Sequence, residues 1–277
     1  MSNCGPSVSA EVRYAGPMHV RPRYHANDST RDVLDLESRR IEISNARLCV
    51  AAPELEEEGF QLSSHRSRLS DFADERAVAS RYANEVDRLL LELSGADAVA
   101  VNPHGILRFS ERSSACGRSD NSHPARFVHV DVSDATAAMF AARSNPTPAR
   151  RVRRFCHYNV WRVCSMPPQD VPLAVCDARS VGAADLVPAD AVFDTPGMPE
   201  WSFEGLVVTG NPRHRWCYFP GMDRDEVLVF KTNDSDPSRS HCVPHVAFDD
   251  PSCPPHAAPR VSIEMRGIAY WYRRDPE

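Results

Sequence analysis

The chain has 277 residues, a formal net charge of −6, and 42% hydrophobic against 25% charged residues. Those proportions describe a globular chain with room for one large domain or two small ones, and the acidic balance argues against a nucleic-acid partner. No stretch approaches the roughly 18 consecutive apolar residues of a membrane helix, and residues 1–7 lack the charged and apolar regions of a signal peptide.

Taken in chain order, residues 1–30 are expected to be mobile, and residues 40–43 read as a strand. Residues 75–94 predict the clearest helix: Val78, Tyr82, Val86, Leu89, Leu90 and Leu93 recur at three- and four-residue steps. Asp71 or Asp74 can cap its start, and Gly95 follows its end. Strands are expected at 98–101 and 127–130, then a second, short helix at 134–143. The basic cluster of Arg150, Arg151, Arg153 and Arg154 reads as a solvated loop. Further strands follow at 155–163, 206–208, 227–230 and 261–265, divided by clusters of Asp, Ser, Asn, Gly and Pro. Residues 233–243 are the other candidate for a mobile segment.

Many short strands behind one packing helix predict a mainly β fold, a double-stranded β-helix (jelly-roll, cupin-like) core that can bury a ligand cavity. One domain over 1–277 is expected. Residues 31–115 would form a helical and strand layer wrapped on the barrel, and 116–277 most of the jelly-roll core. The nine Cys are odd in number and never spaced Cys-x-x-Cys, which fits reduced thiols in a cytoplasmic enzyme. Cys156, Cys164 and Cys176 are expected to pack as small hydrophobes.

The chemistry starts at His129 and Asp131. Residues two apart on a strand leave the same face, so an imidazole and a carboxylate aim at one spot. Alone the pair is weak, because His-x-Asp also describes a strand His beside a turn-capping Asp. A distant His would complete two imidazoles and one carboxylate on one face of a metal, the set that holds non-haem Fe(II) with positions left open. Of the eleven His, His19, His25, His65, His104, His123, His214 and His256 lie in polar or turn segments and read as surface residues. His157 enters an apparent strand and reads as buried. His245 begins an apolar run able to join the barrel, whereas His241 lies in a Ser/Pro-rich loop. A zinc site on His241, Cys242 and His245 has no partner Cys pair to support it.

Downstream, Arg260 and Ser262 share one strand face. A guanidinium with a neighbouring hydroxyl would grip the far carboxylate of 2-oxoglutarate. Between 158 and 162, Asn159 and Trp161 share one face while Tyr158, Val160 and Arg162 share the other, and either face could line the cavity. Arg162 would then meet a carboxylate there, or else a surface acid. Tyr218, Lys231 and Asp234 read as structural hydrogen-bonding or ion-pairing residues.

The stretches FVHVDVSD, HYNVWRVCSMPPQDVPLAVCDARSV, WCYFPGMDRDEVLVFKTNDSD, VPHVAFDDP and PRVSIEMRG resemble the AsaB/CmcJ-like hydroxylase and desaturase family of natural-product oxygenases. SRRIEISNAR, GFQLSSHRSRLSDF and LSGADAV extend the resemblance, which runs from about residue 38 to about residue 270. It implies a jelly-roll enzyme that uses Fe(II), 2-oxoglutarate and O2 to hydroxylate, desaturate or cyclise a small natural-product intermediate. The family pattern places His129, Asp131 and His245 on the metal, and Arg260 with Ser262 on the co-substrate. Two departures stand out. Val163 follows Arg162 where family members often carry Pro, and the Pro-rich loop 249–259 lengthens the spacing to the anchor, which leaves Arg266 as the other candidate. A barrel that only binds, perhaps as half of a heteromeric enzyme, and a zinc hydrolase built on the same triad are the alternatives. A homodimer is the default assembly.

Overall fold

The structure, a computed structural model, describes residues 5–273. Near the N-terminus Val8, Ala10, Val12 and Tyr14 alternate with Ser9, Glu11 and Arg13, and this stretch forms strand β1 (Ser7–Ala15). Ala10, Val12 and Tyr14 are buried, as a period of two on a sheet facing a core requires. After β2 (Arg23–His25), β1 pairs antiparallel with β3 (Leu36–Asn45) along its whole length. The expectation of a mobile 1–30 is therefore corrected for the described residues, since strand pairing ties much of that segment down.

Strand β4 (Phe60–Ser64) precedes the long helix. That helix forms where the periodicity places it, as α1 (Glu75–Ala77), a π-helical turn (Val78–Tyr82) and α2 (Ala83–Ser94). Asp74 is the cap, its carboxylate accepting from Ala77 N at 3.0 Å, and Gly95 closes the end at φ 62°. Then come β5 (Ala98–Val101), β6 (Ile106–Phe109), β7 (His129–Val130) and α3 (Asp134–Ser144), the last capped by Ser133. The remaining strands are β8 (Val152–Val163), β9 (Leu173–Cys176), β10 (Leu186–Phe193) and β11 (Trp201–Val208). They continue with β12 (Trp216–Tyr218), β13 (Glu226–Asp234), β14 (His245–Ala247) and β15 (Val261–Tyr272).

One sheet has nine strands in the order β1-β3-β12-β9-β14-β7-β11-β10-β2. The other runs β4-β13-β8-β15-β5, with β6 also pairing β15. Between them Trp161 and Phe230 from the smaller sheet meet Val175 and Cys217 from the larger one. On the other face of the smaller sheet Tyr158, Val160, Met265 and Ala269 pack against Tyr82, Val86, Leu89 and Leu90 of the helix. This is the mainly β jelly-roll with packing helices that the strand pattern predicts.

Three local expectations change. Residues 31–115 do not form a separate layer, because β3 belongs to the larger sheet and β4, β5 and β6 to the smaller. In 233–243, Asn233 and Asp234 end β13 while Cys242 and Val243 are buried, so this segment is tied to the core. In the basic cluster Arg154 is buried and paired with Asp234 at 2.5 Å and Glu56 at 3.1 Å. Among the cysteines, Cys156, Cys176 and Cys242 are buried thiols, whereas Cys49 is disulfide-bonded and departs from the all-thiol expectation.

Candidate metal centre

Strands β7 and β14 are neighbours in the larger sheet, and His245 stands directly opposite His129. Directly opposed residues share a face, and Asp131 returns to that face two residues beyond His129. Strand pairing and the period of two thus bring His129, Asp131 and His245 together, with one donor atom of each within 4.8 Å of the others. The imidazole centroids are 4.3 Å apart. His129 Nε2 lies 3.8 Å from one Asp131 oxygen, and His245 Nε2 lies 3.9 Å from the other. All three side chains are buried.

Each imidazole turns Nδ1 to a main-chain carbonyl, His129 to Phe127 O at 3.0 Å and His245 to Val243 O at 3.2 Å. A carbonyl only accepts, so Nδ1 carries the proton and the Nε2 lone pair is left for a metal. Burial, and after it the neighbouring His245, pushes His129 down to about 3, which keeps the ring neutral. Burial opposes the charge on Asp131, but Arg266, His245, His129 and Asn159 together hold its carboxyl below the usual range. Two neutral imidazoles and one ionised carboxylate are the donor set that suits non-haem Fe(II), so the residues fit the ion.

The smaller sheet supplies the supports. Asn159 Nδ2 donates to Asp131 Oδ2 at 2.6 Å, and Arg266 Nη2 donates to Asp131 Oδ1 at 3.1 Å. Arg266 also pairs with Glu264 at 2.8 Å, so both of its nearby acids are engaged. Arg260, two per cent exposed, donates from Nη1 to Ser262 Oγ and lies 5.9 Å from the Trp161 ring centroid. Its Nε and Nη2 have no partner among the described residues. Burial, followed by Arg108 and Arg126, pushes this guanidinium down to about 10. A buried cation with two unused donors is costly until a carboxylate arrives. Those two donors match the far carboxylate of 2-oxoglutarate in hydrogen bonding, and Arg260 suits the anchoring role better than the already paired Arg266.

The family described as an Oxidoreductase/YMDC permease-like domain matches residues 11–270. The Fe(II)/2-oxoglutarate-dependent dioxygenase nvfI of Aspergillus novofumigatus is 30% identical over 71% of this chain and 69% of its own. The chain belongs to the hydroxylase/desaturase family of Fe(II)/2-oxoglutarate-dependent dioxygenases. Hydroxylase/desaturase efuI of Hormonema carpetanum is 27% identical over 97% of this chain and 92% of its own. In fold the dioxygenase matches the iron and alpha-ketoglutarate-dependent endoperoxidase NvfI with a TM-score of 0.84, at 23% identity, covering 98% of this chain and all of the other. No helix among the described residues is long and apolar enough to cross a membrane.

Arg162 does not reach the centre of the dioxygenase. On β8, Asn159 and Trp161 face the larger sheet, so Arg162 faces the helix. There it donates to Tyr82 Oη at 2.9 Å and to the carbonyl of His65 at 3.0 Å, and also contacts the Arg224 carbonyl and His65 Nδ1. Its expected role in co-substrate binding is withdrawn. The zinc alternative on His241 and Cys242 also fails, since among the described residues the sole cluster of metal donors is the triad itself. His241 turns instead to Asp134 at 2.9 Å. His214, expected at the surface, is buried as a side chain between Asp185 at 3.2 Å and the Tyr14 hydroxyl at 3.1 Å. Lys231 and Asp234 pair at 2.8 Å, the structural role expected of them.

A cavity of about 500 Å³ opens beside His129 and Asp131, lined in part by Tyr24, His25, Arg108, Asn121 and His123. A second, of about 740 Å³, shares Asn121, Asp131, Phe193, Phe203 and Arg266 with it and continues past Phe140, Trp201 and Ile268. Apart from Asp131 and Arg266, none of these wall residues was singled out for the site from the sequence. The available signal was parity: Arg108 stands opposite Ser262 in the β6–β15 pair, so a strand register would have placed it on the site's face.

Proposed function

We propose that the protein oxidises a C–H bond of a small natural-product intermediate, by hydroxylation, desaturation or oxidative ring closure. His129, Asp131 and His245 hold the iron, each His through Nε2. Arg260 and Ser262 hold the far carboxylate of 2-oxoglutarate, while Asn159 and Arg266 fix the orientation of Asp131. With O2, the bound ion and co-substrate supply an oxidant strong enough to take hydrogen from carbon. The two adjoining cavities both reach Asp131 and offer room for the substrate beside the metal. The observation that carries this reading is the convergence of three metal donors within 4.8 Å on the larger sheet, faced by the smaller sheet, into which the buried Arg260 leads with its two unused donors.

The whole chain works as one oxygenase domain in this reading. The seven cysteine thiols among the described residues support a cytoplasmic setting, and a two-fold homodimer is the chain's simplest assembly. The test is anaerobic loading with Fe(II), addition of 2-oxoglutarate and O2, and measurement of succinate. Wild type is expected to release succinate, and His129→Ala and Asp131→Ala are expected to lose both iron and turnover. Full turnover in those variants with iron still bound would refute the ligand assignment. A wild type that binds iron and 2-oxoglutarate but never forms succinate would support a barrel that only binds.

A further inference from the structure

We propose that Arg108 receives a carboxylate of the organic substrate, so that the substrate class is an amphipathic acid: an apolar body in the larger cavity and an anionic end in the smaller one. The inference rests on the oxygenase reading of the triad and deepens it.

Arg108 is half-buried on β6 and lines the smaller cavity. Its Nη1 is held by three acceptors of one loop, Asn121 O at 3.2 Å, Asn121 Oδ1 at 3.1 Å and His123 O at 2.7 Å. That grip fixes the guanidinium while leaving Nε and Nη2 without a hydrogen-bond partner among the described residues. It makes no ion pair there either. The carboxylates whose field reaches it, Glu264 and Asp131, are both bonded to Arg266. Burial, with Arg266 beside it, lowers the Arg108 pKa below its ordinary value, so the charge is held at a cost that an anion would relieve.

A charge count points to the source of that anion. The cations of the loaded centre are the ferrous ion, Arg108, Arg260 and Arg266. Against them stand Asp131, Glu264 and the two carboxylates of 2-oxoglutarate, which leaves one positive charge over. The other charged residues lining the smaller cavity, Arg13 and Arg126 against Asp32 and Glu111, cancel. Arg266 also lines the smaller cavity but is already paired with Asp131 and Glu264, and the free donors of Arg260 lie fully buried. Arg108 is thus the cation of this set that faces the cavity beside the metal without an ion pair among the described residues. The apolar half of the class follows from the adjoining cavity, whose walls include Phe140, Phe193, Trp201, Phe203 and Ile268. An aromatic wall of that kind suits a rigid hydrocarbon body.

The experiment uses the full-length protein loaded anaerobically with Fe(II) and 2-oxoglutarate, titrated calorimetrically with abietic acid and with its methyl ester. These probes share a rigid tricyclic body and differ in charge. Wild type is expected to bind the acid about tenfold or more tighter than the ester, the scale of a charge-assisted bond. Arg108→Met should erase that preference, and Arg108→Lys should restore part of it, with the 2-oxoglutarate affinity of both kept within about twofold of wild type. Thermal melts of the variants check that the fold survives. Loss of 2-oxoglutarate affinity in Arg108→Met with an unchanged acid-to-ester ratio would assign the carboxylate to the co-substrate and overturn the proposal. Acid binding no tighter than ester binding, or no acid binding at all, would overturn it as well. Succinate release by wild type without either probe reports separately on the oxygenase reading, so the two failures are distinguishable.

Discussion

At the scale of single residues, the centre depends on groups that hold other groups in place. Asn159 donates to the Asp131 oxygen that Arg266 does not use, so the two fix the plane of the carboxylate from the opposite sheet. Asn159→Ala removes one of those supports and leaves the ligands untouched. Fe(II) affinity should fall on the order of 10–100-fold, measured by chelator competition. Unchanged affinity would show that Arg266 alone positions the carboxylate. At Arg260 the expected loss is in 2-oxoglutarate: Arg260→Met should weaken its binding by about 100-fold or more, and Arg260→Lys should recover only part, because one ammonium cannot reproduce a two-donor fork. Calorimetry of 2-oxoglutarate binding to the Fe(II) protein reads both variants, and equal affinities for Met and wild type would return the anchor to Arg266. The triad was legible in the sequence because His129 and Asp131 need only strand parity, and His245 begins an apolar run. Arg162 was not, since parity says which side chains share a face but not which face turns inward. His214 was misread because its burial comes chiefly from Tyr14 and Asp185, both remote in sequence.

At the scale of elements, the long helix and the smaller sheet are pressed together at a glycine. A Cβ built on Gly267 of β15 would come within 2.5 Å of Leu90 Cδ1 on α2. Leu90 is fully buried and cannot swing into solvent, so even one added methyl must move the helix off the sheet. Gly267→Ala is therefore expected to destabilise by about 1–3 kcal/mol, and Leu90→Ala by about 2–5 kcal/mol through the cavity it leaves. In the double variant the smaller residue at 90 makes room for the methyl at 267, so the combined loss should be less than the sum of the two. Urea unfolding of the four proteins measures this coupling, and strict additivity would show that the two residues do not press on one another. The same region explains what elements were readable. The helix announced itself by its apolar steps, although the π turn at Val78–Tyr82 follows from packing that no period reveals. Strand β1 carried clean alternation from Val8 to Tyr14, yet its position at the N-terminus favoured a mobile reading. Pro188 concealed β10; it is tolerated there because β2 pairs that strand only from Asp190 to Val192, which leaves Pro188 on an unpaired edge.

At the scale of the whole molecule, burying histidines links folding to pH. His157 on β8 donates from Nε2 to the Ala137 carbonyl at 2.9 Å, tying the smaller sheet to α3, and burial pushes its pKa down to about 4. Burial lowers the pKa of His65 and His214 as well. An unfolded histidine titrates near about 6.5, so between roughly pH 6.5 and pH 4 the unfolded chain binds a proton at 157 that the folded one refuses. Stability at this site is therefore complete above the unfolded pKa and declines as pH falls through that window. From about pH 7 to about pH 5, His157 alone should cost on the order of 2 kcal/mol. His157→Gln keeps a donor for the Ala137 carbonyl but cannot titrate, so the metal-free variant should lose less stability over this interval than metal-free wild type, by about that amount. Urea midpoints of the two proteins at both pH values read the difference directly, whatever His157→Gln does to stability at neutral pH. The same acid-induced loss in the variant as in wild type would mean that His157 does not couple folding to pH, and that the sensitivity lies with the other buried imidazoles.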